Sequence, residues 1–140
     1  MSRWVIDSSL ALAWGLPDER SPSADRFWSH VESGSQLWVP SLWWYEIANA
    51  LVVVCRRGRL DATNSREILR LLGRLPVTTA SPPVGDELRR LHALAVKHDL
   101  SAYDAAYLDL ARTLSVDLGT LDQRLTAAAR DEGLTVWDGG

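Results

Sequence analysis

Apolar residues recur along the chain in two rhythms. Short β-branched and aromatic runs, "RWVID" (3–7), "QLWVP" (36–40), "PVTTA" (76–80), "VDLGTLD" (116–122) and "LTVWD" (134–138), have the length and make-up of buried strands. Between them lie longer stretches with apolar residues at helical spacing. "SSLALAW" starts on capping hydroxyls directly after the first run, and a second helix is expected from about Ser23 to Val31, before Gly34. "SLWWYEIANALVVVCRRG" has Ser41 as its N-cap and Gly58 as its stop. "DATNSREILRLLGRL" and "VGDELRRLHALAVKH" are amphipathic, "LSAYDAAYLDLA" follows, and "QRLTAAARDEG" ends at Gly133. Strands alternating with helices predict an α/β fold, three layers deep (α/β/α), around a mostly parallel sheet of about five short strands.

Two of these helices carry acids on their apolar stripes. On a helical wheel Asp104 falls among Tyr107, Leu108, Ala111 and Leu114, whereas Asp109 points to the far side. Glu46 aligns with Leu42, Ala50 and Val53. Burying an unpaired carboxylate is costly, so each should have a compensating partner. Parallel sheets of this kind bind ligands at the carboxyl ends of their strands, and two further acids stand there: Asp7 after "WVI" and Asp122 after "LGTL". Each acid also has a local explanation. Asp7 and Asp122 can cap the helices that follow them, "SAYD" is a passable capping box for Asp104, and a buried arginine would satisfy Glu46. Four independent caps, however, have no reason to place their carboxylates at one end of one sheet. A shared Mg2+ or Mn2+ ion, which prefers oxygen ligands and offsets their mutual repulsion, explains all four.

Composition bounds the rest. The 140 residues, 46% hydrophobic and 24% charged, suit a single domain over 1–140, and the richest Pro/Ser patch, "TASPPVGDE" (79–87), is too short to be a linker. A net charge of −3 excludes a global basic field for nucleic acid, and of the 15 basic residues only Lys97 is a lysine. Arg56, Arg57 and Arg59, and Arg89 with Arg90, are either solvated faces or local phosphate contacts. The lone Cys55, expected to be buried, excludes an internal disulfide and a thiolate metal cage. His30, His92 and His98 are scattered and read as structural. Among the seven tryptophans, Trp4 and Trp38 read as strand core. Of the adjacent Trp43 and Trp44 one should pack inward and the other face a partner. With no charged leader and no run of about 18 apolar residues, a cytoplasmic protein with no membrane contact is expected.

Taken in order, "VIDSSLALAW", "VPSLWWYEIANAL", "LSAYDAAYLDLA" and "LGTLDQRL" resemble the PIN-domain ribonucleases, and among them toxins of VapC type from toxin-antitoxin pairs. The resemblance spans nearly the whole chain. It carries the family's acidic quartet onto Asp7, Glu46, Asp104 and Asp122, all intact, and matches Ser9 and Thr120 to supporting, substrate-side hydroxyl positions. It implies Mg2+- or Mn2+-dependent endonucleolytic cleavage of RNA, such as tRNA or rRNA, a homodimer, and a separately encoded antitoxin. Asp7 and Asp104 are the expected direct ligands, with Glu46 and Asp122 completing the sphere or orienting the nucleophile. Two enzymatic rivals lack a residue each: "SSL" after "VID" has no second aspartate for a phosphatase of the haloacid dehalogenase type, and Lys97 sits too early for a receiver domain. The remaining alternative is a non-catalytic module of the same fold whose acidic pocket docks a basic partner.

Overall fold

The computed structural model describes residues 2–31 and 34–138. Its elements are β1 (Arg3–Ile6), α1 (Ser8–Gly15), a single 3-10 turn (Pro17–Glu19), α2 (Pro22–His30), β2 (Gln36–Pro40), α3 (Leu42–Arg56), α4 (Ala62–Leu72), β3 (Val77–Ala80), α5 (Glu87–His98), α6 (Ala102–Leu114), β4 (Asp117–Gly119) and α7 (Gln123–Asp131). The strands lie in the order β3-β2-β1-β4, with every pairing parallel. β1 is therefore central, and its neighbour β4 comes from the far end of the chain. α6 packs on β1, β2 and β4, flanked by α5 and α7, while α1, α3 and α4 pack against one another. The result is the expected α/β architecture.

Helix starts follow the capping chemistry. Asp7, Ser21, Asp61, Ser101 and Asp122 each accept a backbone N–H two or three residues ahead. Ser41 does not. It stands at the expected N-cap of α3, but its backbone is already helical (φ −59°, ψ −30°) and its hydroxyl makes no cap bond. α5 begins at Glu87 rather than Val84, because Gly85 adopts a left-handed φ of 56° that a helix cannot continue through.

Among the described residues the sheet has four strands, not about five. Residues 134–138 contribute one parallel bridge, Leu118 to Val136, with Leu118 N–H donating to Thr135 O and Trp137 N–H donating to Leu118 O. Pairing stops there because Trp137 turns onto α2, its indole N–H donating to Ser23 O at 3.2 Å. Beside it, Phe27 is fully buried against Trp4, Trp28 and Trp137. Gly119 closes this corner, since a Cβ there would lie 2.9 Å from Leu10 Cδ1 and 3.0 Å from Phe27 Cε2.

Trp4 is core as expected, but Trp38 is only half-buried. Trp43 packs inward completely, and Trp44 is half-buried with its indole N–H on Thr79 Oγ1 at 2.9 Å. Trp44 thus fastens α3 to β3 instead of presenting a free face. Cys55, half-buried rather than buried, shares a 2.7 Å hydrogen bond with Ser65.

Candidate active site

Asp7 ends the central strand. Its N–H donates to Gly119 O at 3.1 Å, so the chain stays in the sheet until the carboxylate itself. Oδ1 accepts from Ser9 N–H at 3.1 Å and from the Ser9 hydroxyl at 2.5 Å, and Oδ2 accepts from the Thr120 hydroxyl. Each hydroxyl is itself fixed from behind: Ser9 Oγ accepts Leu121 N–H and Thr120 Oγ1 accepts Asp122 N–H, both at 3.0 Å. Both oxygens of Asp7 are thereby oriented by the loop that follows β4. With 5% of its surface exposed, Asp7 has its pKa raised to about 6, chiefly by burial and further by the charge of Asp122, against the pull of the two hydroxyls.

Glu46 lies on α3 at the border of the buried stripe formed by Trp43, Ile47, Leu51 and Val54. The buried arginine that would satisfy it locally is not there among the described residues. The Tyr107 hydroxyl donates to Glu46 Oε1, and the Ser8 side chain reaches both groups. Burial first, and then the neighbouring charge of Asp104, push the Glu46 carboxyl above its usual range despite the Tyr107 bond. Tyr107 is almost wholly buried, and its phenol is pushed far up by burial, by Glu46 and by Asp7, so it remains a neutral donor. Asp104 is half-buried, its N–H held by Ser101 Oγ at 3.0 Å, and Asp122 is exposed, its Oδ1 capping α7 through Leu125 N–H at 3.0 Å.

The local explanations and the shared site therefore coexist. Asp7 and Asp122 do cap their helices, yet Asp122 acts on Asp7, Asp7 on Tyr107, Tyr107 on Glu46, and Asp104 on Glu46. The four predicted acids are linked as two pairs, Asp7 with Asp122 and Glu46 with Asp104, with Tyr107 between them, and among the described residues none of them is paired with Lys, Arg or His. Hydroxyl and carboxylate oxygens are the donors a hard divalent cation takes, and a buried carboxyl raised by burial and by like charge is the group such an ion would relieve. Among the described residues, the His/Cys/Asp/Glu side chains with ligand atoms within 4.8 Å of one another are His98, Asp131 and Glu132, so the four acids are not drawn in as closely. That other cluster is already neutralised: Glu132 binds Lys97 Nζ at 2.6 Å, His98 Nε2 at 2.7 Å and Arg112 Nε at 3.4 Å, which holds its pKa down to about 2. His98 is structural, as expected.

Asp109 differs from the wheel reading. It is 8% exposed, more buried than Asp104, and takes a two-pronged bond from Arg90 Nε and a terminal nitrogen at 2.7 and 3.0 Å. The reason is that α6 is covered on a second side by α5, which carries Arg90. Arg90 is thus committed to a carboxylate, as is Arg59 to Asp18, and neither stands free for a phosphate. Tyr107 and Ser8 are the site residues that sequence reasoning passes over, an aromatic on an apolar stripe being indistinguishable from ordinary core.

A profile of the PIN domain family matches residues 4–131. Ribonuclease VapC3 of Pyrobaculum aerophilum is 35% identical over 121 residues, spanning 86% of this chain and 90% of that protein. The crystal structure of PAE2754 from the same organism superimposes with a TM-score of 0.72 at 25% identity, over 98% of this chain and 85% of that one. VapC20 of Mycobacterium tuberculosis, described as a sarcin-ricin loop cleaving toxin, superimposes with a TM-score of 0.64 at 18% identity, over 89% and 94% of the two chains.

Proposed function

The chain belongs to the PIN-domain family, among relatives named VapC ribonucleases, and from that premise we propose that it is a toxin-antitoxin toxin, a Mg2+- or Mn2+-dependent endoribonuclease working through its acidic quartet. One observation carries this reading. Asp7 is a buried carboxylate with both oxygens oriented by hydroxyls and, among the described residues, no cation to neutralise it, while the charge of Asp122 acts on it. A protein that needed Asp7 only as a cap would not bury its charge beside others.

Asp7 and Asp104 would hold the ion directly, and Glu46 and Asp122 would complete its surroundings through water or orient the attacking nucleophile. Bound there, the ion would act as a Lewis acid toward the phosphate and lower the pKa of a water molecule. The chain's own share of the work is positional. Ser9 and Thr120 keep Asp7 from rotating, and the Asp122 N–H on Thr120 fixes the start of α7 to the same point. Among the described residues no histidine is bonded to any of the four acids, so proton removal is assigned to a carboxylate or to the water itself.

RNA is the proposed polymer, with structured RNAs such as rRNA or tRNA as the class; the named activities of VapC3 and VapC20 support this. A cognate antitoxin and a second copy of the chain are the proposed protein partners. Exposed Tyr45 and Val52 on α3, Leu69 and Leu71 on α4, and Val96 and Tyr103 on α5 and α6 leave apolar surface for such contacts. No helix among the described residues is long and apolar enough to cross a membrane, and action in the cytoplasm is part of the proposal.

Purified protein incubated with RNA in Mg2+, Mn2+ or EDTA, beside Asp104→Asn, tests the whole. Cleavage is expected only with metal and an intact quartet. Cutting that survives both chelator and substitution would sink the metal mechanism, and RNA or basic-peptide binding with no cleavage in any metal would favour the docking-module alternative. Single- and double-stranded DNA in the same assay decide whether RNA is the preferred polymer.

A further inference from the structure

The ring of Tyr107 belongs to the core, but its oxygen does not behave like a core atom. Burying a phenolic O–H without a partner is unfavourable, and α6 could fill the same space with phenylalanine. Here the hydroxyl donates to Glu46, a charge-assisted bond between helices 61 residues apart in sequence. Tyr107 stands one turn after Asp104 on α6, Glu46 lies on α3, and Ser8, whose side chain reaches both Tyr107 and Glu46, directly follows Asp7. Three elements that each supply an acid are thus joined by one hydroxyl. Glu46 has three side-chain torsions and, among the described residues, no basic partner; its orientation depends on this bond.

Resting on the metal-nuclease reading above, we infer that Tyr107 is a positioning residue: its hydroxyl occupies one oxygen of Glu46 and turns the other toward the cation site shared with Asp7 and Asp104. Tyr107 touches neither metal nor RNA in this scheme and acts entirely through Glu46.

Mn2+ binding to the RNA-free protein, followed by the free-ion EPR signal, gives a readout independent of cleavage. Tyr107→Phe is expected to weaken Mn2+ about tenfold, the lower end of what outer-sphere partners of metal ligands contribute. In a Glu46→Gln background the same change should add nothing, because its only route to the ion is gone. At saturating Mn2+ the variant should lose kcat with KM for RNA unchanged, which a merely structural lesion would not produce. Wild-type affinity in Tyr107→Phe, or full additivity with Glu46→Gln, would overturn the role of Tyr107 alone; wild-type protein that takes up no Mn2+ would overturn the metal reading and this inference together. A second measurement does not depend on the variant folding. In protein labelled with 3-fluorotyrosine, the chain has 3 tyrosines, of which Tyr45 and Tyr103 are exposed and assignable by replacement. The remaining, buried 19F resonance should shift on Mg2+ addition, and a resonance that stays put across saturation would overturn the inference.

Discussion

Asp7→Asn should inactivate the protein and yet make its metal-free form more stable at neutral pH. The folded-state pKa of Asp7 is about 6 against an ordinary 3.8. A raised carboxyl favours the fold fully below its unfolded pKa, and that advantage is lost as pH rises through the folded value. Ionised Asp7 at neutral pH therefore costs about 3 kcal/mol, from roughly two units at 1.36 kcal/mol each. Asparagine removes that cost but introduces another. The Ser9 and Thr120 hydroxyls already accept backbone N–H groups and donate to Asp7, so the new amide nitrogen meets a donor and one bond is lost, at about 1–2 kcal/mol. The net expectation is a gain of about 1–2 kcal/mol near neutral pH, shrinking and changing sign toward pH 4. Urea unfolding in EDTA at several pH values measures it directly. Mn2+ should then stabilise only the wild type, by mass action. A variant less stable than wild type at neutral pH, or a difference that does not vary with pH, would refute the argument that Asp7 is held against its own charge.

The other expectations concern what surrounds it. Thr120→Val keeps the shape but removes both the donor to Asp7 and the acceptor for Asp122 N–H; Mn2+ affinity and RNA cleavage should each fall about 10–100-fold, by titration and initial rates. Gly119→Ala should cost about 1–3 kcal/mol in urea unfolding, because Phe27 is enclosed by three tryptophans and cannot retreat from a methyl group; an unchanged midpoint would mean that β4 is looser than its contacts imply. Glu132, held down to about 2 by Lys97 and His98, stabilises the fold above its ordinary 4.5 and loses that effect as pH falls from 4.5 through 2. The stability difference between wild type and Glu132→Gln should therefore be largest above about pH 5 and shrink toward pH 2 in denaturant titrations.

Much of the architecture is legible because strand-sized apolar runs alternate with helical ones, and both strand-end acids follow from the rule that parallel sheets bind at their carboxyl edges. The failures have physical sources. A five-residue run such as "LTVWD" has strand composition, but pairing also needs a neighbour of matching length, and β4 offers only Asp117–Gly119. A helical wheel assumes one buried face, whereas α6 is covered by the sheet and by α5, which is how Asp109 came to be enclosed while Asp104 stayed half-exposed. Tyr107 hides for a different reason. Its ring obeys the hydrophobic pattern and only its oxygen departs from it, a distinction no periodicity registers. The identity of Glu46's partner is likewise a fact of packing between distant helices.

The position of β1 between β2 and β4 also bears on the order in which the site around Asp7 is assembled. β1 is made before either neighbour, and the hydroxyl of Thr120 follows Asp7 by 113 residues. Until then Asp7 has one oxygen unheld, and Asp122 does not yet exist. A chain synthesised only as far as α6 therefore lacks both the second hydroxyl on Asp7 and the acid beyond it, and this corner is completed only when β4 pairs with β1.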